Sequence, residues 1–356
     1  MERGITTILP LFLRQPRADD VSCLARAVES VLSQPCEVPL ELLVIDDGSE
    51  PPALSVREVQ RVLQRPRVRV LRLLRNRGVA CALNCGLIQA RYDLIARIDA
   101  DDVWRKEKLE TQLRMLAADP DLTLIASSMR LVHPADPQFD RDELRGGGWE
   151  HALALTERIG CPFPHGSILA RRVVFEQLGG YPQDAVFQHA EDFALWAQWM
   201  RFFKVAICSE VFLEYTVGDD QISARYEREQ QQATTAARRI LDVLPDRARV
   251  PHAIARLAAS LGVDGLTASS IFFTVWKYYD HILVEPGQYE AAVTIFPDRA
   301  VHTCEQIDTL LADRFFYLHR GPFDRGRLPP ARVIHTADDI LSRVTSPRES
   351  SPDPSR

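Results

Sequence analysis

Three acids within four positions, Asp99, Asp101 and Asp102, follow directly on the apolar run at 94–98. Such a run reads as a buried strand, which puts the acids at its carboxyl end, where open α/β sheets bind ligands. Carboxylates crowded there repel one another unless a cation offsets their charge. Hard oxygen ligands of this kind suit Mg²⁺ or Mn²⁺, ions that commonly bridge to substrate phosphates. A second acidic strand end, Asp46-Asp47-Gly48-Ser49, closes the apolar run at 40–45. A carboxylate at that point can accept hydrogen bonds from a ribose hydroxyl or a base N–H. Two acidic strand ends in one sheet face the same crevice. Each motif taken alone also fits plain structure: an acidic turn capping a helix that starts near Arg105, and an Asp-Gly-Ser loop turn.

Between them lies Asn76-Arg77-Gly78-Val79-Ala80-Cys81-Ala82-Leu83-Asn84-Cys85-Gly86. Its small residues allow close approach to a sheet, and a helix start there offers free N–H groups and a positive dipole end. Arg75 and Arg77 could add charge toward a diphosphate, or stand exposed on an ordinary packed helix. Glu191-Asp192 opens a segment carrying Phe193, Trp196 and Trp199. A carboxylate at an aromatic wall is partly desolvated, which raises its pKa toward the range of a general base. Acids in a helix's first turn are equally common as plain capping. His165-Gly166-Ser167 follows Pro162 and Pro164; His165 could touch a phosphate or an acceptor, or be held structurally.

The elements needed to position these residues are legible. Short apolar runs at 6–12, 40–45, 68–74, 93–98 and 122–127 alternate with helical periods at about 20–32, 53–64, 79–90 and 106–117. Asp19 or Asp20 could cap the first of these helices. The alternation predicts an α/β fold with a mainly parallel sheet covered on both faces. Residues 134–148, rich in Pro, Asp, Arg and Gly, read as a mobile loop. A helix at 191–203 and a strand at 205–212 follow, and the pattern from 245 onward looks mostly helical. Boundaries are expected at 1–244, 245–345 and 346–356, the last a disordered tail by composition. The aromatic stretch at 271–279 reads as core packing ahead of a dimer face, an acceptor platform or a membrane-surface contact.

Bulk properties exclude some classes. The chain of 356 residues is 46% hydrophobic and 26% charged, which is ordinary for a soluble globular protein. A net charge of −6 gives no support to a nucleic-acid partner. Seven cysteines without a Cys-x-x-Cys pair suggest a reducing compartment, with Cys81 and Cys85 as packing residues. No signal-peptide pattern and no apolar stretch of membrane-spanning length are visible, so a cytoplasmic location is expected, with peripheral contact at the inner membrane face left open.

The order of these motifs resembles the inverting family 2 glycosyltransferases of the GT-A fold. The series is Pro10 after a strand, Ser30-Val31-Leu32-Ser33-Gln34, Asp46 to Ser49, Asn76 to Gly86, Ile98 to Asp102, His165 to Ser167, Gly179-Gly180-Tyr181 and Glu191-Asp192. Glu214-Tyr215 followed by Gln221-Ile222-Ser223 resembles the end of the catalytic domain in many bacterial members. The resemblance implies a GT-A type, Rossmann-like mixed sheet flanked by helices, with a mostly helical C-terminal region. It implies transfer of one sugar from a nucleotide-diphosphate donor, a UDP-sugar above others, to a hydroxyl on a glycan, lipid-linked or protein acceptor. Surface polysaccharide or glycoconjugate synthesis is the expected setting.

Roles carry over by position. Asp47 matches the uracil-binding acid, with Asp46 beside it and the backbone at Pro10 against the base. Arg77 and Asn84 are expected at the donor. Asp99 and Asp101 match the D-x-D acids, Asp101 ligating Mn²⁺ or Mg²⁺ and Asp99 contacting the ribose, the ion or its water. Asp192 matches the catalytic base, with Glu191 as neighbour, and His165 falls near the sugar or acceptor. Members often carry Tyr-Asn after the first-strand proline; here Phe12 is left to stack on the base. The Gln-x-x-Arg-Trp motif of processive members is absent, which favours one transfer per encounter. A sugar-nucleotide pyrophosphorylase would need a Gly-rich loop after the first strand, and residues 10–20 hold no glycine. A non-catalytic nucleotide-sugar-binding protein would have no chemical need for acids at 99, 101 and 192 together.

Overall fold

The computed structural model describes residues 2–183, 185–218, 227–243, 249–304, 314–318 and 333–336. The chain divides into two compact units, residues 1–175 with 180–242, and residues 176–179 with 243–356.

The first unit is built on a nine-stranded sheet. Its parallel half consists of β1 (Glu2–Leu11), β2 (Leu40–Asp46), β3 (Val68–Arg72) and β4 (Tyr92–Arg97), in the order β3-β2-β1-β4. These strands are joined by α1 (Ala18–Leu32), α2 (Arg57–Leu63) and α3 (Val79–Gln89). β2 is buried along its whole length, as a central parallel strand covered on both faces should be. On α1 the apolar spacing buries Leu24, Ala27, Val28 and Val31 on one face. Asp20 closes that helix's start as the third helical residue rather than as the cap, accepting the Arg17 N–H at 2.7 Å.

The other half of the sheet changes direction. β4 pairs antiparallel with β8 (Leu169–Arg171), and β8 antiparallel with β6 (Leu122–Val132). β6 runs parallel to β9 (Lys204–Thr216), which pairs antiparallel with β5 (Val103–Trp104). The sheet is therefore mixed: the alternating strand–helix half is all parallel, while the other half joins the parallel pair β6–β9 to the rest through antiparallel pairings. The helices α4 (Lys108–Ala118), α5 (Trp149–Ile159), α6 (Arg172–Leu178), α7 (Glu191–Phe202) and α8 (Glu227–Val243) complete the series through Val243. The segment expected as a mobile loop contains a helical turn at Pro137–Phe139 and the strand β7 (Arg141–Glu143), paired with β6. Its polar residues are used locally: Asp140 accepts the His133 N–H at 2.7 Å, and Asp142 accepts from Arg130 at 3.0 Å.

The second unit contains α9 (Val250–Leu261), α10 (Gly265–Tyr278) and α11 (Tyr289–Ile295). The expected helices are accompanied by a four-stranded parallel sheet of β10 (His281–Val284), β11 (Ala300–Thr303), β12 (Arg314–Tyr317) and β13 (Val333–Thr336), in the order β11-β10-β12-β13. Ile271, Phe272, Phe273, Val275 and Trp276 of the aromatic stretch are buried, and Phe272 stacks on Phe296 at 5.3 Å. They are core. Among the described residues no helix is long and apolar enough to cross a membrane. The expected tail at 346–356 and Gln221-Ile222-Ser223 lie outside the described residues.

Candidate active site

Sheet register places the two acidic strand ends together. Leu11 of β1 pairs with Asp46 of β2, and Ile8 of β1 pairs with Arg97 of β4. Asp46-Asp47 and Asp99 to Asp102 thus leave the sheet on either side of Pro10 and Leu11, at one carboxyl edge. Phe12, just beyond, is 42% exposed, which leaves its ring free to receive a planar group.

The two acids of the first turn have different tasks. Asp46 is buried and accepts the N–H groups of Ser49 at 2.8 Å and Ala53 at 3.1 Å, with the Arg72 guanidinium at 3.0 Å. It builds the turn. Gly48 (φ +74°) completes it, since a Cβ there would lie 2.3 Å from the Arg75 carbonyl carbon. Asp47 reaches across to the start of α3 and accepts the N–H of Arg77 at 2.8 Å and of Gly78 at 2.9 Å. Burial raises its pKa against those two bonds. Arg77, expected at the donor, is exposed and meets Asp47 through its backbone.

The second acidic end surrounds one buried guanidinium. Arg97, 5% exposed, pairs through both terminal nitrogens with both oxygens of Asp99. Burial opposes its charge, but Asp99, Tyr181 and Asp102 outweigh that and raise its pKa. Asp99, expected to share the ion, is therefore turned toward Arg97. Asp101 is pushed up to about 6, first by burial and then by Asp99. Asp102 accepts the Thr216 N–H at 3.1 Å through one oxygen, while the other is buried without a hydrogen-bond partner. Burial, then Asp99 and Asp101, raises its pKa well above the carboxylate range. Of these acids Asp101 could hold a cation, since Asp99 is paired with Arg97 and Asp102 accepts the Thr216 N–H. Among the described residues no three His, Cys, Asp or Glu side chains form a metal cluster, so the rest of the coordination would come from donor oxygens and water.

The third corner is aromatic. Asp192, at the start of α7, accepts the Phe193 N–H at 2.7 Å, and its other oxygen lies 3.8 Å from His165 Nδ1. His165 Nε2 is 2.8 Å from the Tyr181 hydroxyl, and its ring meets Trp196 edge to face at 5.6 Å. Burial raises the pKa of Asp192, with Arg97 opposing and Asp99 adding to the rise. Glu191 is pushed up to about 7 by burial and by Asp192. Burial, then Arg97, holds the His165 imidazole well below its ordinary range, so it is neutral. Asn84, expected at the donor, has both ends of its carboxamide on the Tyr181 backbone: it accepts the N–H and donates to the C=O, each at 2.8 Å. A side chain so engaged ties α3 to the aromatic corner.

Several positioning residues lie behind these groups. Trp104 Nε1 donates to the Gly166 carbonyl at 2.7 Å, Gln112 to that of Ser167 at 2.8 Å, and Lys108 to that of Ile168 at 3.3 Å. Three consecutive carbonyls after His165 are thereby fixed. Ser30 Oγ receives the Trp104 N–H at 3.1 Å, and Gln34 donates to the Arg105 carbonyl at 2.9 Å. The Ser30 to Gln34 motif thus anchors the chain that leaves the acids.

The geometry on this edge coincides with a family match. Residues 9–179 fit the model of glycosyl transferase family 2. The chain carries a family 2 glycosyltransferase domain. Its mixed sheet flanked by helices is the arrangement that the motif order implied. EpsE of Bacillus subtilis (strain 168) is 29% identical over 183 residues, covering 51% of this chain and 62% of that protein. The UDP-Gal:alpha-D-GlcNAc-diphosphoundecaprenol beta-1,3-galactosyltransferase of Escherichia coli is 25% identical over 177 residues, 49% of this chain and 60% of that protein. The chain thus spans about three fifths of each of these two relatives. Among solved structures, S. aureus TarS 1-349 in complex with UDP aligns with a TM-score of 0.48 and 16% identity, over 69% of this chain and 68% of that one.

Proposed function

We propose that the glycosyltransferase domain moves a single sugar from a nucleoside-diphosphate donor to an acceptor hydroxyl, with inversion at the anomeric carbon. The observation that carries this reading is the joining of three separate chain segments at one sheet edge. An acid turn at Asp46-Asp47 and an acid turn at Asp99 to Asp102 flank β1, and a desolvated carboxylate pair at Glu191-Asp192 feels Arg97 and Asp99.

Asp47 holds the start of α3 in place and offers its remaining lone pairs to the base. Phe12 supplies an exposed ring for stacking. Asp101 would hold Mn²⁺ or Mg²⁺ together with the donor's diphosphate; such an ion, when bound, stabilises the charge that grows on the leaving diphosphate. Arg97 fixes Asp99 and keeps positive charge among the acids. Asp192 accepts the acceptor's hydroxyl proton as the oxygen attacks, and its burial keeps it basic enough to do so. Uridine as the base agrees with the E. coli relative, whose name specifies UDP-Gal. A polysaccharide or lipid-linked acceptor is the matching setting.

The test is a screen of nucleotide sugars with Mn²⁺ by thermal shift, followed by assay of nucleoside-diphosphate release with candidate acceptors. A ligand that binds only the folded state raises its melting point. The expected result is a shift with one donor class and diphosphate release that requires acceptor. No shift with any nucleotide sugar, with or without metal, would overturn the reading.

A further inference from the structure

The Asp192, His165 and Tyr181 side chains form a line, and the line has a direction. Tyr181 is 3% exposed, and burial raises its hydroxyl pKa, so it stays protonated. His165 is neutral and carries one ring proton. If that proton sat on Nε2, the bare Nδ1 lone pair would face the Asp192 carboxylate, placing acceptor against acceptor. If the Tyr181 O–H donates to Nε2 across 2.8 Å, the proton must sit on Nδ1, pointing at Asp192 Oδ2 from 3.8 Å. Only the second arrangement gives Nε2 a donor and turns an N–H, rather than a lone pair, toward the carboxylate 3.8 Å away.

The placement of Tyr181 is itself over-determined. The Asn84 carboxamide pins its backbone N–H and C=O. Gly180 (φ +75°) makes room, since a Cβ there would come within 2.5 Å of Asn84 Oδ1. The Tyr181 ring also packs against Phe175 at 5.8 Å and Trp196 at 6.1 Å.

We propose that Tyr181 is a positioning residue for the transfer reaction: its hydroxyl locks His165 as the Nδ1–H tautomer, which aims an N–H at the carboxylate of Asp192. This rests on the reading of Asp192 as the base. An N–H aimed at the ionised form favours it, so Tyr181 acts on Asp192 through His165. The other groups that bear on Asp192 are Glu191 on its own helix, Arg97 and Asp99 from the end of β4, and Cys161, whose thiol pKa Asp192 helps to raise. None of them fixes the imidazole tautomer.

The test replaces the hydroxyl alone, Tyr181→Phe, and reads two quantities. Ring ¹⁵N shifts of His165 report the tautomer without any need for turnover. The wild type is expected as Nδ1–H, and Y181F as a mixture or as Nε2–H. In turnover, Y181F should lower kcat about three- to tenfold, the worth of one hydrogen bond. The acid limb of its pH profile should move upward while donor KM is unchanged. A wild-type Nε2–H tautomer, or a Y181F protein whose tautomer and pH limb match the wild type, would overturn the proposal. The wild-type spectrum decides even if Y181F does not fold. Failure of the transferase reading is separate: it shows as no turnover with any donor while the two spectra still differ.

Discussion

Replacing Lys108 with Met isolates the titration of one buried group. Its ammonium is fully buried over the Trp104 ring at 4.0 Å, with hydrogen bonds to Gln112 Oε1 at 2.9 Å and the Ile168 carbonyl at 3.3 Å. Burial lowers its pKa from 10.5 to about 7. Between those values the unfolded chain binds a proton that the folded chain has released, so stability rises with pH through that window and levels off outside it. At roughly 1.4 kcal/mol per pH unit, the window is worth about 5 kcal/mol. The Met variant has no such titration, but it leaves two acceptors without this donor, at about 1–3 kcal/mol each. The two effects are of similar size at pH 7. By pH 9 the wild type should have gained about 2 kcal/mol on K108M, or roughly 4–8 °C in relative melting point for a unit of this size. Urea unfolding of both proteins at pH 7, 8 and 9 measures the difference, and every other titrating group cancels. Parallel curves across that range would refute the buried-ammonium account.

Three further outcomes follow from the site. Arg97→Met should cost about 3–5 kcal/mol by leaving Asp99 uncompensated among acids, and Asp99→Asn in the same chain should restore much of it; a single variant that melts with the wild type would contradict the pairing. Asp101→Ala should weaken metal-dependent donor binding about tenfold or more, because even outer-shell changes at metal sites cost that much; an unchanged metal titration would count against Asp101 as a ligand. The transfer rate should rise with pH along a limb displaced above the ordinary carboxylate range, since burial raises Asp192 and pushes Glu191 up to about 7. A limb at about 4, where free carboxylates titrate, would reject the desolvated base.

The fold's first half was legible because its physics is local. Buried parallel strands are short apolar runs, and the acids that end β2 and β4 are visible as abrupt breaks in them. What the acids do was less legible. Asp46 and Asp47 are adjacent, yet one builds its own turn and the other caps α3, a distinction set by three-dimensional partners at 49, 53, 72, 77 and 78. Asn84 was expected at the donor from its place in the motif series; its partner Tyr181 is 97 residues away. Arg97 did leave a signal, a charge inside an apolar strand two residues before Asp99, which in a buried position demands a counter-charge nearby. Lys108 left none, since a lysine in a helix's first turn reads as a solvated face. The four-residue strands of the second unit are too short to separate from the helical pattern around them.

The most direct test of the converging-acid account is Asp192→Asn, with donor affinity and transfer measured on the same preparation in the presence of Mn²⁺. The amide keeps the shape and the bond from the Phe193 N–H but cannot take up the proton. The account predicts donor affinity within about twofold of wild type and transfer reduced by roughly 10²–10⁴-fold, the usual contribution of a general base. Transfer that survives in the variant, or donor affinity that falls in step with the rate, would contradict it.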